Sequence, residues 1–256
     1  MKAVFLSIFF CFSCSILTSQ KNPDEKKREY LFVDGSGKFV FTREHRLLKN
    51  KLISRTQISS NQGSSHRILE KSVTVSQLGS IKENNHRVLV MRPLASDFTV
   101  WLEGKRYDSK MRLDIPNKKM MVELNSPEEK WKGKSSVAIP KGKQFCFFSQ
   151  LPDCLFYAQL LSKSLERKDN ISHFYVVWDG FPYIQDQYAF VGSKLFSPAT
   201  VKYDGEDKKV LRFLVELDGQ SILYHFSKSF DLVRMFWIAQ GVSIIPPGED
   251  TTDTEE

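Results

Sequence analysis

Aromatic residues follow one another directly along this chain, and this feature restricts the possible folds more than any other. They occur in the runs FCFF (145–148), HFYVVW (173–178) and MFW (235–237), in a sequence with 20 Phe, eight Tyr and four Trp. In an extended strand, adjacent side chains point to opposite faces of the sheet. Strands built from these runs therefore carry large apolar groups on both faces. Each face then needs a cover, which is a second layer, a ligand or the concave interior of a curled sheet.

Short apolar runs recur about every ten residues, with turn-forming residues between them. The first two, YLFV and KFVF, flank the Gly-rich segment 34–37 and predict a hairpin that begins at Tyr30. The run YAFVG at 188–192 predicts a further strand, and the segments 203–205 and 217–220 predict tight turns. This rhythm is typical of an antiparallel meander.

One stretch has helical rather than alternating spacing. Its apolar positions follow steps of three and four residues, as expected for one face of a helix: Leu151, Cys154, Leu155, Ala158, Leu161 and Leu165. The sequence therefore predicts a mainly β, single-domain fold. We expect an antiparallel curled sheet or open β-barrel with one amphipathic helix at about 150–167.

The N-terminus predicts export. One lysine precedes an apolar run that is too short to span a bilayer as a helix, which is the layout of a signal peptide. Ser13 before Cys14 favours a lipoprotein-type signal at 1–13 with lipid attached to Cys14, although cleavage after Ser15 or Ser19 would leave an unanchored protein. A flexible tether is predicted at 14–29. A β-rich domain is predicted at 30–246, and an acidic tail at 247–256.

Cys146 and Cys154 are the cysteines whose role the sequence leaves open. In an oxidising compartment they can form a disulfide that ties the start of the helix to a strand, and this is the favoured interpretation. Closing so short a loop stabilises a protein by roughly 2–3 kcal/mol. The alternatives are two unpaired core cysteines or a pair of functional thiols.

The positive charge is concentrated in two regions. The chain carries a net charge of +7, with eight Lys and Arg against two acids at 38–71 and eleven against five at 105–143. Such regions attract phosphate, anionic lipid headgroups or acidic polysaccharide, or they are simply a solvated surface. Because we predict export, we expect no nucleic-acid partner.

No catalytic motif stands out in the sequence. The histidines at 45, 66, 86, 173 and 225 lack metal-ligand spacing, so we predict neither a metal nor a cofactor, and no catalytic residue is assigned. Asp179 and Asp186 could form a carboxylate pair that hydrolyses a glycosidic bond. A turn following a strand is the simpler interpretation of Asp179.

The layout resembles the lipoprotein-localisation carriers and receptors of Gram-negative bacteria, which are unclosed barrels around helical cover. The features that carry the resemblance are the signal, the polar tether, and two runs of strands on either side of the helix introduced by IPKGKQFCFFSQLPDCLFYAQLL (139–161). The resemblance implies an exported lipoprotein that is periplasmic, anchored to the outer membrane or displayed at the cell surface. We expect it to bind a lipid or another hydrophobic ligand without catalysis. The alternatives are an envelope hydrolase acting on polysaccharide and a structural or adhesive protein-binding module.

Overall fold

The computed structural model describes residues 25–62, 65–83, 85–166 and 171–249. The predicted signal peptide, Cys14 and most of the predicted tether and acidic tail lie outside these residues. Strand structure already begins at Glu25, so residues 25–29 of the predicted tether belong to the first strand. No helix in the described part of the chain is long and apolar enough to cross a membrane.

Fifteen strands and three short helices make up the described chain. The strands are β1 (Glu25–Asp34), β2 (Gly37–Leu48), β3 (Lys51–Gln62), β4 (Ser65–Glu83), β5 (His86–Leu102), β6 (Lys105–Asp114), β7 (Lys119–Asn125), β8 (Gly133–Ala138), β9 (Phe145–Phe147), β10 (Ile171–Val177), β11 (Phe196–Asp207), β12 (Val210–Leu217), β13 (Gln220–Phe226), β14 (Leu232–Trp237) and β15 (Val242–Ile245). The helices are α1 (Leu151–Tyr157), α2 (Leu160–Glu166) and α3 (Ile184–Gln187).

All the strands belong to one sheet, in the order β8-β7-β6-β5-β4-β3-β2-β1-β15-β14-β13-β12-β11-β10-β9. Every neighbouring pair is antiparallel except β9 and β10. Within the described residues β8 and β9 are the edges, and the sheet does not close into a barrel. The predicted mainly β, antiparallel, curled architecture is therefore confirmed.

The sheet curls so far that its β9 edge comes close to β5, the fourth strand from the opposite edge. Strand β9 lies against β5, and the Met91 amide on β5 donates a hydrogen bond of 3.0 Å to the Gln144 side chain just before β9. The three strands between β5 and the β8 edge of the sheet, β6 to β8, extend beyond the contact with β9. They cover the outside of β9 to β11.

This overlap gives β10 an apolar cover on both faces. Phe174 and Val176 point inward to the main core, which contains α1 and α2. Val177 points outward to a second cluster, where it meets Met111 of β6 and Met120 of β7. Adjacent aromatic and aliphatic residues on β9 and β10 are thus explained by two layers of packing rather than by exposure.

The predicted helix is interrupted. Gln159 has φ +59°, a left-handed conformation that ends α1 after Tyr157, and α2 starts at Leu160 in a new direction. The redirection buries Leu160, Leu161 and Ser164, and the Ser164 hydroxyl donates to the carbonyl of Val201 on β11 at 3.3 Å. Packing of both segments on the sheet therefore replaces the single continuous helix that the spacing predicts. The short helix α3 was not predicted by the spacing.

Two local predictions are wrong. Residues 188–192 are not a strand, because they belong to the loop that covers the end of the curled sheet. Residues 203–205 are not a turn but an irregularity within β11, where the register shifts between Tyr203 and Gly205. The chain instead reverses at Lys208 and Lys209, which have φ of 45° and 71°. The predicted reversal at Asp218 and Gly219 is confirmed.

Candidate functional site

The concave side of the sheet encloses a small cavity that lies across the pairing of β1 with β15. Its volume is about 70 Å³. Strands β1 to β5 form one wall, β13 to β15 form the other, and the start of α1 and the segment 179–188 cover the end. Its apolar lining is half aromatic and half aliphatic: Phe32, Phe41, Ile58, Phe98, Phe148, Pro152, Ile184, Tyr188, Tyr224, Leu232, Met235, Trp237, Val242 and Ile244.

Asp179 provides a buried carboxyl group at the covered end of the cavity. Its side chain is 2% exposed, and it directly follows Trp178, which extends from β10 into the core. The Ser72 hydroxyl and the Ser149 amide donate hydrogen bonds to its two oxygens, the second at 3.2 Å. Burial raises the pKa of Asp179, and these hydrogen bonds oppose the rise only in part.

Glu70 is a second carboxyl group at the cavity. It precedes Ser72 by two positions on β4, so both side chains point to the same concave face. The Gln187 amide donates to it at 2.9 Å. Burial raises the pKa of Glu70 from 4.5 to about 7, and the nearby charge of Asp179 adds to the rise. Neither carboxyl group has a basic partner among the described residues.

Arg43 reaches the opposite part of the cavity from β2, and its charge is neutralised by Asp153 in the first turn of α1. Both side chains are buried, at 6% and 3% exposure. His45 Nδ1 lies 3.1 Å from Asp153 Oδ1, and the Ser54 hydroxyl donates to Asp153 Oδ2 at 3.2 Å. Burial lowers the pKa of His45, although the Asp153 charge opposes the effect. This cluster fixes α1 to β2 and β3 at the border of the cavity.

Cys146 and Cys154 form a disulfide that joins β9 to α1. The favoured interpretation of this pair is confirmed, and it positions the helix that carries Asp153. Gln150, just before α1, adds to the attachment by accepting from the Ser76 hydroxyl at 2.7 Å and donating to the Ser54 hydroxyl at 3.1 Å. Three kinds of bond, covalent, ionic and hydrogen bonds, thus hold one short helix on the sheet.

The two aspartates considered for hydrolysis have different environments. Asp179 lines the cavity, whereas Asp186 is exposed on α3 and does not line it. The carboxyl group that accompanies Asp179 in the cavity is instead Glu70. No group of three or more histidine, cysteine, aspartate or glutamate side chains in the described ranges could hold a metal ion.

Sequence reasoning missed Arg43 and Glu70. The available signal was the alternation Glu70, Ser72, Thr74 and Ser76, which places polar groups on one face of β4. A polar inner face in a protein with so many aromatic residues indicates that polar groups from elsewhere must meet it. The sequence does not show that these come from residues 149–153 and 179.

We expect the Glu70→Gln variant to be more stable than the wild-type protein at high pH. A carboxyl group with a raised pKa holds its proton more tightly in the folded protein than in the unfolded chain. Its ionisation therefore destabilises the fold as the pH rises from about 4.5 to about 7. Glutamine cannot ionise but can still accept from Gln187. The variant should gain up to about 3 kcal/mol at about pH 8 and nothing at about pH 4.

Denaturant unfolding over this pH range measures the effect. The Glu216→Gln variant, which removes an exposed glutamate from β12, is the matched control. A stability gain for Glu70→Gln that does not depend on pH would contradict a raised pKa for this partly buried carboxyl group.

No protein-family model, curated protein or solved structure matches this chain. The function is therefore inferred from the geometry and chemistry of the cavity itself.

Proposed function

We propose that this protein is a non-enzymatic binding protein that takes an apolar group of a lipid or another hydrophobic molecule into the cavity of the curled sheet. The observation that carries the proposal is the aromatic lining of that cavity, contributed by both walls of the sheet. Apolar concavities with a few convergent polar groups are the usual ligand sites of proteins. The polar groups here are the ionisable side chains of Arg43, Glu70 and Asp179 and the hydroxyls of Thr56 and Ser149.

The size of the cavity limits what can enter. The cavity has a volume of about 70 Å³, and one water molecule needs about 10–15 Å³ of such space. The space therefore suits a single ring or the end of an alkyl chain rather than a whole lipid. The rest of a larger ligand would remain outside or would require the segment 179–188 to move.

The proposed setting is the cell envelope, with a lipid on Cys14 holding the protein to a membrane. The signal-like N-terminus supports this part of the proposal, and the disulfide is in keeping with an oxidising compartment. A tethered domain of this kind would meet lipids or lipopeptides at short range.

Filling the cavity should remove binding. Ile58 on β3 lines the cavity and is 8% exposed, so the larger ring of Ile58→Phe would occupy the space of the ligand. The wild-type protein is purified from membranes, analysed by native mass spectrometry, and heated with a panel of fatty acids and lipopeptides. We expect a rise in melting temperature with at least one of them, and at least about a tenfold weaker affinity in Ile58→Phe.

The control is Ile238→Phe, which makes the same replacement at a residue that is 83% exposed. It should bind as the wild-type protein does. The absence of any co-purifying lipid together with the absence of any thermal shift would contradict the proposal. Equal binding by Ile58→Phe would place the ligand elsewhere.

An envelope hydrolase is the second candidate, favoured by one observation. Glu70 and Asp179 both reach the cavity, and burial raises the pKa of each, as is required of a general acid. Turnover of a polysaccharide panel that is lost in Asp179→Asn would support this candidate over simple binding.

A further inference from the structure

A second concave surface lies on the outside of the fold, away from the aromatic cavity. It is a groove of about 470 Å³. It lies between residues of β4 and β5 on one side and, on the other, the turn after β6 and the segment that leads into β9. We call it the basic groove. Its lining is Gln77, Ile81, Arg92, Pro93, Leu94, Leu113, Ile115, Lys118, Ile139, Pro140, Lys141, Gly142, Lys143 and Phe145.

The charges of the basic groove all have one sign. Its lining contains four cationic side chains and no acidic one. Only Lys143 is neutralised, by Glu83 at 2.7 Å. Arg92, Lys118 and Lys141 are exposed, and none of the three forms an ion pair with another described residue. Three uncompensated cations around one groove attract an anionic partner.

The floor and one rim of the groove are apolar. Leu94, Leu113, Ile139 and Phe145 supply the floor, and Ile115 stands at the rim with 65% of its surface exposed. Ile115 begins the four-residue turn between β6 and β7, and Lys118 ends that turn. An exposed aliphatic side chain and a cation on one tight turn match the two layers of a membrane interface, acyl chains below and headgroups above.

We propose that the basic groove docks on the surface of an anionic lipid bilayer. In this arrangement Ile115 inserts at the boundary between headgroups and acyl chains, while Arg92, Lys118 and Lys141 contact the anionic headgroups. A soluble phosphate would use the cations but not the exposed side chain of Ile115. An acidic polysaccharide would likewise leave Ile115 without an apolar partner. The docking surface is separate from the aromatic cavity and does not depend on what the cavity binds.

Vesicle co-sedimentation of the full chain tests the proposal. One vesicle preparation contains phosphatidylcholine alone, and the other contains phosphatidylcholine and phosphatidylglycerol in equal amounts. Any binding through the N-terminal segment contributes to both preparations, so the readout is the difference between them. We expect stronger binding to the anionic vesicles, and we expect high salt to weaken it because exposed charges are screened.

Two pairs of variants locate the surface. Lys118→Gln with Lys141→Gln should weaken binding to anionic vesicles about 25-fold, since each lysine near such a surface contributes about fivefold. Lys208→Gln with Lys209→Gln removes the same charge from the hairpin between β11 and β12 and should have a much smaller effect. Ile115→Ser should weaken binding as well, whereas Ile238→Ser, at another exposed isoleucine, should not.

Equal losses in the two lysine pairs would show a general charge effect and would overturn the assignment of this groove. Equal binding to neutral and anionic vesicles would overturn it too. A third result, groove-dependent binding to dextran sulfate without groove-dependent binding to vesicles, would replace the lipid surface with an acidic polysaccharide as the partner.

Discussion

Replacing Asp153 by alanine should lower the free energy of unfolding by about 3–5 kcal/mol. The carboxylate of Asp153 is the counter-ion of Arg43, and it also accepts from Ser54. Without it, the Arg43 guanidinium remains charged at 6% exposure and lacks the carboxylate that pairs with it, which is far more costly than losing an exposed pair. Urea unfolding at neutral pH, monitored by tryptophan fluorescence, measures the change.

Two further variants separate the buried charge from ordinary truncation. Asp97→Ala breaks the ion pair with Arg112, in which the side chains of Arg112 and Asp97 are 52% and 49% exposed. This variant should lower the free energy of unfolding by no more than about 1 kcal/mol. Combining Asp153→Leu with Arg43→Met removes both buried charges, and most of the stability should return. If Asp153→Ala behaves like Asp97→Ala, the cluster is solvated rather than buried.

Phe147→Ala should also lower the free energy of unfolding by about 3–5 kcal/mol, because it opens a cavity between two layers. Phe147 is completely buried on the outward face of β9, next to Met111, Met120 and Val122 of the overlapping strands. The loss would be small if β6 to β8 did not cover this face. The variant therefore measures the contribution of the overlap and not only that of one ring.

The matched control for Phe147→Ala is Phe190→Ala. Phe190 is 92% exposed, so its truncation should change stability by no more than about 0.5 kcal/mol. Both variants are measured by urea unfolding with the disulfide intact. A loss at Phe147 as small as that at Phe190 would contradict two-layer packing.

The sequence predicted the covered two-faced strands but not where every strand ends. The apolar runs RVLVM at 87–91 and FTVWLEG at 98–104, with Pro93 between them, have the spacing of two separate strands, whereas the structure has one strand, β5. The opposing β4 shifts register between Val75 and Ser76, so Leu94 is left over as a bulge. A bulge is where a sheet tolerates a proline that lacks an N–H group. A shift of register in the partner strand cannot be read from the local sequence of β5.

Strand β3 was missed for a different reason. Its inward positions include Ser54 and Thr56, so it lacks the apolar alternation by which a half-buried strand is recognised. Ser54 is buried where Asp153 and Gln150 approach it from a segment about a hundred positions later in the chain. The same long-range approach assembles the candidate site, so its residue types were visible in the sequence while their meeting point was not.

The pairing of β1 with β15 holds the two halves of the molecule together at its centre. It joins only three residue pairs, Leu31 with Ile245, Phe32 with Ile244 and Val33 with Ser243. Phe32 of β1 and Ile244 of β15 also line the cavity, one on each side of this pairing. A ligand in the cavity would therefore contact both β1 and β15, and its binding would stabilise the pairing of these two strands. Ligand binding and the pairing of β1 with β15 would then be thermodynamically coupled.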